Sequence, residues 1–452
     1  MAFWGTRSNA PEPNQPQTAS GFYLGERFRR DGQGQRVHGE SVVFQGDEHV
    51  LLIGPTRCGK GRRLLAPNLI LHPEHSAIVV DPKGELARWT GRYRAQQGHE
   101  VIYLDPFGVL GEQAESRSFN PLLALDPTSD AFLDDAMGVA EALVMIEGND
   151  PHWSSSAQDF VAGMVMHTCL NPESDGPWLG DTRRLITSGY GVVAEFAETA
   201  IEKQEFLACK LGRFTEADSS RELASIISTA QTQTRFLDSH RIKASLGGRK
   251  ASFDFSEMRH KPMTVYVILP PYHLVTHGKW LRLVIGAAIR AMQKDKRSTK
   301  RPPVLFMLDE FPQLGRMESV ETSMALNAGF GIKIVAVVQH LNQLVHQYKE
   351  NWETFLSGGV IAAFGPRDAF TSEYLSRLSG QEYVTVQSTS RSVSGVTQSD
   401  SKHLQATLLP HQFRELRKGE LVLFMPTPDG QQMWLTEAKD FDDLPHVKKH
   451  IA

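Results

Sequence analysis

Short apolar runs, most of them ending on a polar or glycine residue, recur along this chain. Val50-Leu51-Leu52-Ile53 stops at Gly54, Ser76-Ala77-Ile78-Val79-Val80 at Asp81-Pro82, and Val101-Ile102-Tyr103-Leu104 at Asp105-Pro106. Further runs occupy 263–269, 304–308, 333–338 and 360–364. Helical spacing fills the intervals between them, and runs this short and uniformly apolar predict a parallel sheet covered on both faces. The pattern changes at 126–255. There Val139, Leu143 and Ile146 recur at helical intervals, as do Phe160, Met164 and His167, and Leu223, Ile226, Ile227 and Ala230. An all-helical insertion of 126–255 is expected inside an α/β domain made of 21–125 and 256–452. Residues 1–20, rich in Pro, Asn, Gln and Ser, predict a flexible segment. The Ser/Thr-rich stretch 385–402 shows no period and predicts a mobile loop. Residues 420–425 and 432–436 flank Asp429-Gly430 and predict a terminal hairpin.

Composition narrows the classes. The chain has 452 residues, 40% hydrophobic and 22% charged, which suits a globular protein with more than one domain. A net charge of −4 means that any nucleic-acid contact is local. Arg27, Arg29 and Arg30 form a small basic cluster, read as a solvated loop before the first strand. Cys58, Cys169 and Cys209 lack metal-ligand spacing and read as reduced cytosolic thiols. His152 and His167 show no partner pattern either. The most apolar helical stretch, 281–292, is interrupted by Arg282 and Arg290, and the first residues lack a signal-peptide layout.

The run ending at Gly54 opens the most informative stretch: Gly54-Pro55-Thr56-Arg57-Cys58-Gly59-Lys60-Gly61, followed by an amphipathic run at 64–71. Strand, glycine loop and helix is the setting of a phosphate-binding loop. Its glycines let successive N–H groups turn toward one anion, and the helix N-terminus adds partial positive charge. Lys60 would reach the β- and γ-phosphates of ATP. Gly61 stands where a Ser or Thr hydroxyl usually holds Mg²⁺. The alternative is a glycine-rich turn without a ligand.

The strand at 304–308 runs into Asp309-Glu310. Carboxylates at the end of a buried strand need a cation or hydrogen bonds. Facing a phosphate loop, Asp309 would hold Mg²⁺ and Glu310 would orient and deprotonate the attacking water. The competing reading makes Asp309 a helix cap. Gln339 ends the next strand, where its amide can sense the γ-phosphate or simply open a loop. Asp81 and Asp105 also fall at strand ends, where Asp105 either caps a turn or has a functional role.

Together these residues resemble the coupling proteins of conjugative type IV secretion systems. The likeness includes the loop at 54–61 and Asp81-Pro82-Lys83-Gly84-Glu85-Leu86. It continues through Phe119-Asn120-Pro121-Leu122, the segment 153–160 and Thr264-Val265-Tyr266. Leu308-Asp309-Glu310-Phe311 with Leu314-Gly315-Arg316 is the most distinctive stretch; Gln339 and Trp352-Glu353-Thr354-Phe355-Leu356-Ser357 complete the series. In that family glycine commonly follows the loop lysine. The resemblance implies a RecA-like nucleotide-binding domain with an inserted helical domain, an ATPase using ATP and Mg²⁺, and a hexameric ring. The implied cargo is single-stranded DNA carried by a relaxase, or protein effectors, delivered to the type IV secretion channel. The helical insertion would recognise it. Members usually begin with transmembrane helices. Here the likeness starts near Met1 without them, so the expectation is a cytoplasmic protein, or one peripheral at the inner membrane, that meets the membrane through partners. An arginine finger assigned in some members is not matched: the nearest positions are Leu326 and Asn327, with Arg316 and Arg367 as substitutes. A related DNA-pumping translocase and a non-hydrolysing, nucleotide-binding adaptor are the competing readings.

Overall fold

The computed structural model describes residues 21–444 apart from 31–35, 147–150, 173–175, 216–220, 248–252, 327–328, 358, 393–394 and 428–429. The expectation for 1–20 lies outside the described residues, as do Asn327 and Asp429. The strands are β1 (Phe22–Arg30), β2 (Arg36–Phe44), β3 (His49–Ile53), β4 (Ala77–Val80), β5 (Glu100–Leu104), β6 (Met263–Val267), β7 (Val304–Leu308), β8 (Ile332–Val338), β9 (Gly359–Phe364), β10 (Gln381–Ser392), β11 (Gly395–Ala406), β12 (Glu420–Thr427) and β13 (Gly430–Glu437). Eleven of them form one sheet in the order β2-β1-β13-β12-β9-β3-β8-β7-β4-β6-β5. From β9 to β5 every pairing is parallel; from β9 to β2 every pairing is antiparallel. The expected hairpin is the pair β12–β13.

Two expectations are corrected. Arg27, Arg29 and Arg30 lie in β1, not in a loop before the first strand. The stretch read as a mobile loop is a two-stranded ribbon, β10 paired with β11 in continuous register from Gln381↔Ala406 to Ser392↔Gly395. Both strands carry Thr, whose β-branching suits extended backbone. Tyr383, Val386 and Leu404 are exposed on it, so no apolar face marks the strands as buried.

The helices are α1 (Ala66–Leu71), α2 (Glu85–Gln96), α3 (Phe132–Leu143), α4 (His152–Leu170), α5 (Leu179–Thr187), α6 (Tyr190–Lys203), α7 (Ala208–Leu211), α8 (Arg221–Gln233), α9 (His240–Ser245), α10 (Pro271–Lys294), α11 (Glu318–Ala325) and α12 (Asn342–Tyr348), with others beyond, among them Ala369–Leu378. Alternate strand side chains face opposite ways, and the two faces nucleate separate cores. Val50, Leu52, Ala77 and Val79 pack with Leu64, Leu69 and Leu86 of α1, α2 and the turn before α1. Leu51, Ile53, Ile78 and Val80 pack on the other face, in a core that continues through α3, α4, α8 and α10. Every described element from α3 to α9 is helical, and α4 is the hub, packed on α3, α5 and α8. No helix among the described residues is long and apolar enough to cross a membrane.

Candidate functional site

The loop 54–61 joins β3 to α1 at the carboxyl edge of the sheet. Gly54 N–H donates to Val338 O of β8 at 3.0 Å, which ties the start of the loop to the neighbouring strand. A Cβ on Gly54 would sit 2.7 Å from Cys58 Sγ and 3.1 Å from Phe364, so any larger residue would push those side chains aside. Cys58 closes the loop from beneath, and burial pushes its thiol up, away from nucleophilic use. Arg57 and Gly59 both have positive φ, 67° and 100°; the paired turn winds the backbone into a concave shape. The first turn after Lys60 is wound i→i+5, with Ala66 N–H on Gly61 O, and its leading N–H groups have no intrahelical acceptor. Lys60 is buried and folded over the loop, its Nζ 2.6 Å from Gly54 O and 3.4 Å from Pro55 O.

The second half comes from β7 and β8. β8 lies between β3 and β7, the arrangement in which a strand separates the phosphate loop from the acids. Glu310 stands in the left-handed region at φ 55°, ψ 40°. A non-glycine residue held there costs about 1–3 kcal/mol and persists only where its surroundings enforce it. Gln339 supplies part of that enforcement: its Nε2 donates to both Glu310 carboxylate oxygens, at 3.3 and 3.0 Å. Gln343 fixes Gln339 in turn, accepting its backbone N–H at 2.8 Å. Thr56 of the loop donates to Gln339 Oε1 at 3.4 Å. Phosphate loop, sensor amide and acid are thus one hydrogen-bonded chain.

Among the described residues no basic side chain is bonded to Asp309. Burial and the adjacent Glu310 raise its pKa to about 6, against the pull of Lys60 and Lys83. Asp81 ends β4, the strand paired with β7, and burial together with Asp309 lifts it to about 7. Asp81 also accepts N–H groups of Glu85 (3.0 Å) and Ala87 (2.8 Å), so it holds the start of α2. Asp105 caps a turn by accepting the Leu110 N–H, the structural one of its two readings. Among the described residues no group of three or more His, Cys, Asp or Glu could hold a metal alone. The donor set still suits Mg²⁺, which is commonly bound through one or two carboxylates, water and substrate phosphates. Asp309, buried beside the phosphate loop and Lys60, is the carboxylate that would take such an ion as its partner.

Sequence reasoning missed what grips the acids. Arg282 of α10 donates to Leu314 O (2.9 Å) and Arg316 O (2.5 Å) in the loop after Glu310, and to Glu141 O of α3 at 3.4 Å. Gln347 of α12 donates to Pro312 O at 2.7 Å. Gln339, Gln343 and Gln347 recur every four residues, a legible signal; Arg282 looked only like a break in an apolar run. Of the substitutes for the arginine finger, Arg316 is paired with Glu321 at 3.3 Å, and Arg367 is exposed after β9, next to the phosphate-loop strand. Leu326 is exposed at the end of α11.

A family model described as type IV secretory system conjugative DNA transfer matches residues 7–430. The conjugal transfer protein TraG of Escherichia coli is 26% identical over 390 residues, which cover 81% of this chain and 59% of that protein. VirD4 of Rhizobium radiobacter is 28% identical over 404 residues, 86% of this chain and 57% of that protein. The chain therefore spans just under three-fifths of the length of these relatives. Among solved structures, the bacterial conjugative coupling protein TrwBdeltaN70 superposes with a TM-score of 0.69 at 16% identity, covering 88% of this chain and 86% of that one. TrwB has also been solved with ADP and Mg²⁺ and with the non-hydrolysable ATP analogue ADPNP, both with a TM-score of 0.67 to this chain. The fold is thus the RecA-like α/β class expected from the sequence. With a family match that runs through the phosphate loop, the acids, the sensor strand and the helical section, the chain belongs to the type IV secretory system conjugative DNA transfer family.

Proposed function

We propose that this chain is an ATP-driven coupling protein. It would recruit DNA–relaxase complexes or protein substrates and pass them to a type IV secretion channel. The observation that carries this reading is the chain Thr56–Gln339–Glu310 between phosphate loop and acid, with Lys60 and Asp309 beside it. Loop N–H groups and Lys60 would cradle the β- and γ-phosphates, exchanging the carbonyls of Gly54 and Pro55 for phosphate oxygens. Asp309 would hold Mg²⁺, which supplies charge neutralisation at the transferring phosphoryl group. Gln339 would read the γ-phosphate. Glu310, released from its amide, would take a proton from the attacking water.

The nucleotide complexes of TrwB support ATP and Mg²⁺ as cofactors. The family description, conjugative DNA transfer by a type IV secretory system, supports a DNA cargo and secretion components as partners; the proposal adds single-stranded DNA with its relaxase or effector proteins as cargo, and a homo-hexamer in which a neighbour completes each site. The helical section 126–255 would be the recognition module. The protein would work on the cytoplasmic side of the inner membrane, reaching it through partners.

One observation favours a non-hydrolysing adaptor: Gly61 offers no hydroxyl to Mg²⁺. Steady-state ATP turnover, with and without single-stranded DNA, separates the readings. Turnover stimulated by DNA is the expected result. Nucleotide binding without turnover would replace the motor by the adaptor.

A further inference from the structure

At the far edge of the sheet from the phosphate loop, five strand positions along from β3, the chain gathers aromatic rings and cations. Phe107 follows β5, and the N-terminus of α10 follows β6, so both lie at the carboxyl edge of the sheet. Strand spacing puts this place about 24 Å from the phosphate loop. Tyr272 is 76% exposed and Val275 95% exposed. Buried Leu274 and Trp280 anchor the helix beneath them, so the exposure belongs to a fixed surface. The rings are contiguous: Tyr272 to His273 4.5 Å between centroids, His273 stacked on Phe107 at 3.8 Å, His277 to Phe107 at 5.4 Å. Arg241 of α9 lies 6.0 Å over Phe107, and the same short helix carries Lys243.

Charge here departs from that of the chain as a whole. The chain has more acids than bases, yet no Asp or Glu occurs between Glu257 and Asp295. Along the sequence the acid nearest α9 is Asp238, and Arg183 already holds both of its oxygens, at 2.9 and 2.7 Å; Asp105, two residues before Phe107, is buried and accepts the Leu110 N–H.

We propose that Tyr272, the Phe107–His273 stack and the α9 cations form a contact site for single-stranded nucleic acid. This rests on the coupling-protein reading and gives it a place on the surface. Ring faces accept any base by stacking, while Arg241 and Lys243 neutralise the phosphates between bases. A duplex, whose bases already stack on one another, offers no free base face to Tyr272. A separation of tens of ångströms from the phosphate loop leaves nucleotide and strand free to bind together.

The test is fluorescence anisotropy of the full chain with a fluorescein-labelled thymidine 20-mer and a duplex of equal length, over a salt series without nucleotide. Tyr272→Ala should weaken 20-mer binding about tenfold, the scale of one lost stack, and Tyr272→Phe should restore it. Arg241→Gln with Lys243→Gln should lower the slope of log K against log salt by about 1.4 for two phosphate contacts. Lys60→Ala should bind the 20-mer like wild type. Absence of 20-mer binding at low salt, wild-type affinity in both the Tyr272→Ala and the Arg241/Lys243 variants, or an equal loss for the duplex would each overturn the proposal. Absence of ATP turnover with these binding results intact would sink the motor reading and leave the contact site standing.

Discussion

Glu310 is the residue where backbone strain, hydrogen bonding and proposed chemistry meet. Its left-handed backbone aims the carboxylate at Gln339, and the amide occupies both oxygens before any nucleotide arrives. Substituting Gln for Glu keeps that shape and removes the base. Glu310→Gln should therefore bind ATP like wild type and turn over about 10²-fold more slowly, the scale of a lost general base. Lys60→Ala should lose binding and turnover together; equal turnover in Glu310→Gln and wild type would remove Glu310 from the chemistry. Asp309 adds a pH signature. Its carboxyl has a folded pKa near 6, above the usual 3.8 of an unfolded Asp. Between those values the folded state binds more protons, so this group's contribution to stability falls as pH rises from about 4 to 6. Asp81, raised to about 7, acts with the same sign over a range extending one unit higher. Asp309→Asn should consequently raise the melting temperature of the nucleotide-free protein at pH 7.5 and flatten its decline above pH 4. It should also abolish stabilisation by Mg²⁺ with nucleotide. An unchanged melting profile would mean that water already solvates this carboxylate.

Between elements, the acid loop is held from two sides. Arg282 grips two of its carbonyls and one of α3, and Gln347 grips a third loop carbonyl from α12. Arg282→Met should lower turnover at least tenfold while nucleotide affinity, read by titration, stays within twofold, since its bonds to Leu314 O, Arg316 O and Glu141 O support the acid loop and α3. Loss of affinity instead would show that the loop and the acids are not separately supported. This grip also marks the limit of what was legible beforehand. Strands β3 to β9 were readable because each is a short, mainly apolar run with a clear stop, and Gly54, Asp309 and Gln339, which stop β3, β7 and β8, belong to the candidate site. The acids, the loop and Gln339 were found that way, and the strand between them followed. The ribbon β10–β11 was not readable, because a two-stranded element with both faces in water carries no hydrophobic alternation. Arg282 was not readable either: its role depends on three carbonyls brought together by tertiary packing, and its position in an apolar run shows only that something compensates it. The ribbon makes its own prediction. Among the described residues it pairs with no other strand, and it leaves Tyr383, Val386 and Leu404 exposed. Replacing 384–403 with a short turn should leave the melting temperature within about 2 °C, and a larger fall would mean that the ribbon supports the sheet.

At the scale of the whole molecule, the helical section is inserted in the sequence but not independent in its packing. Leu51, Ile78, Val265 and Phe306 of the sheet share one core with Phe160 and Val165 of α4, Leu223 and Ile226 of α8, and Leu283 and Ile289 of α10. Each such side chain contributes about 1.5–3 kcal/mol by leaving water, and a linker in place of 126–255 would return much of that surface to solvent. The polar contacts run the same way. Lys279 of α10 donates to Gln233 O of α8 at 2.8 Å, and Gln233 meets both backbone groups of Met145 at 3.4 Å. Recognition by the helices and chemistry at the sheet would then be coupled through shared packing, without needing a hinge. Calorimetry of the full chain should give a single transition whose van't Hoff and calorimetric enthalpies agree, the signature of one cooperative unit. Replacement of 126–255 by a linker should give a chain that binds hydrophobic dyes and has lost its cooperative melt. Two resolved transitions, or a truncated chain that melts sharply and still binds nucleotide, would show instead that the sheet closes its own core. The helices would then be a detachable module, and any coupling between cargo and nucleotide would have to pass through the polar contacts at its border, among them Lys279 with Gln233 and the Phe119 N–H with Ser245 O.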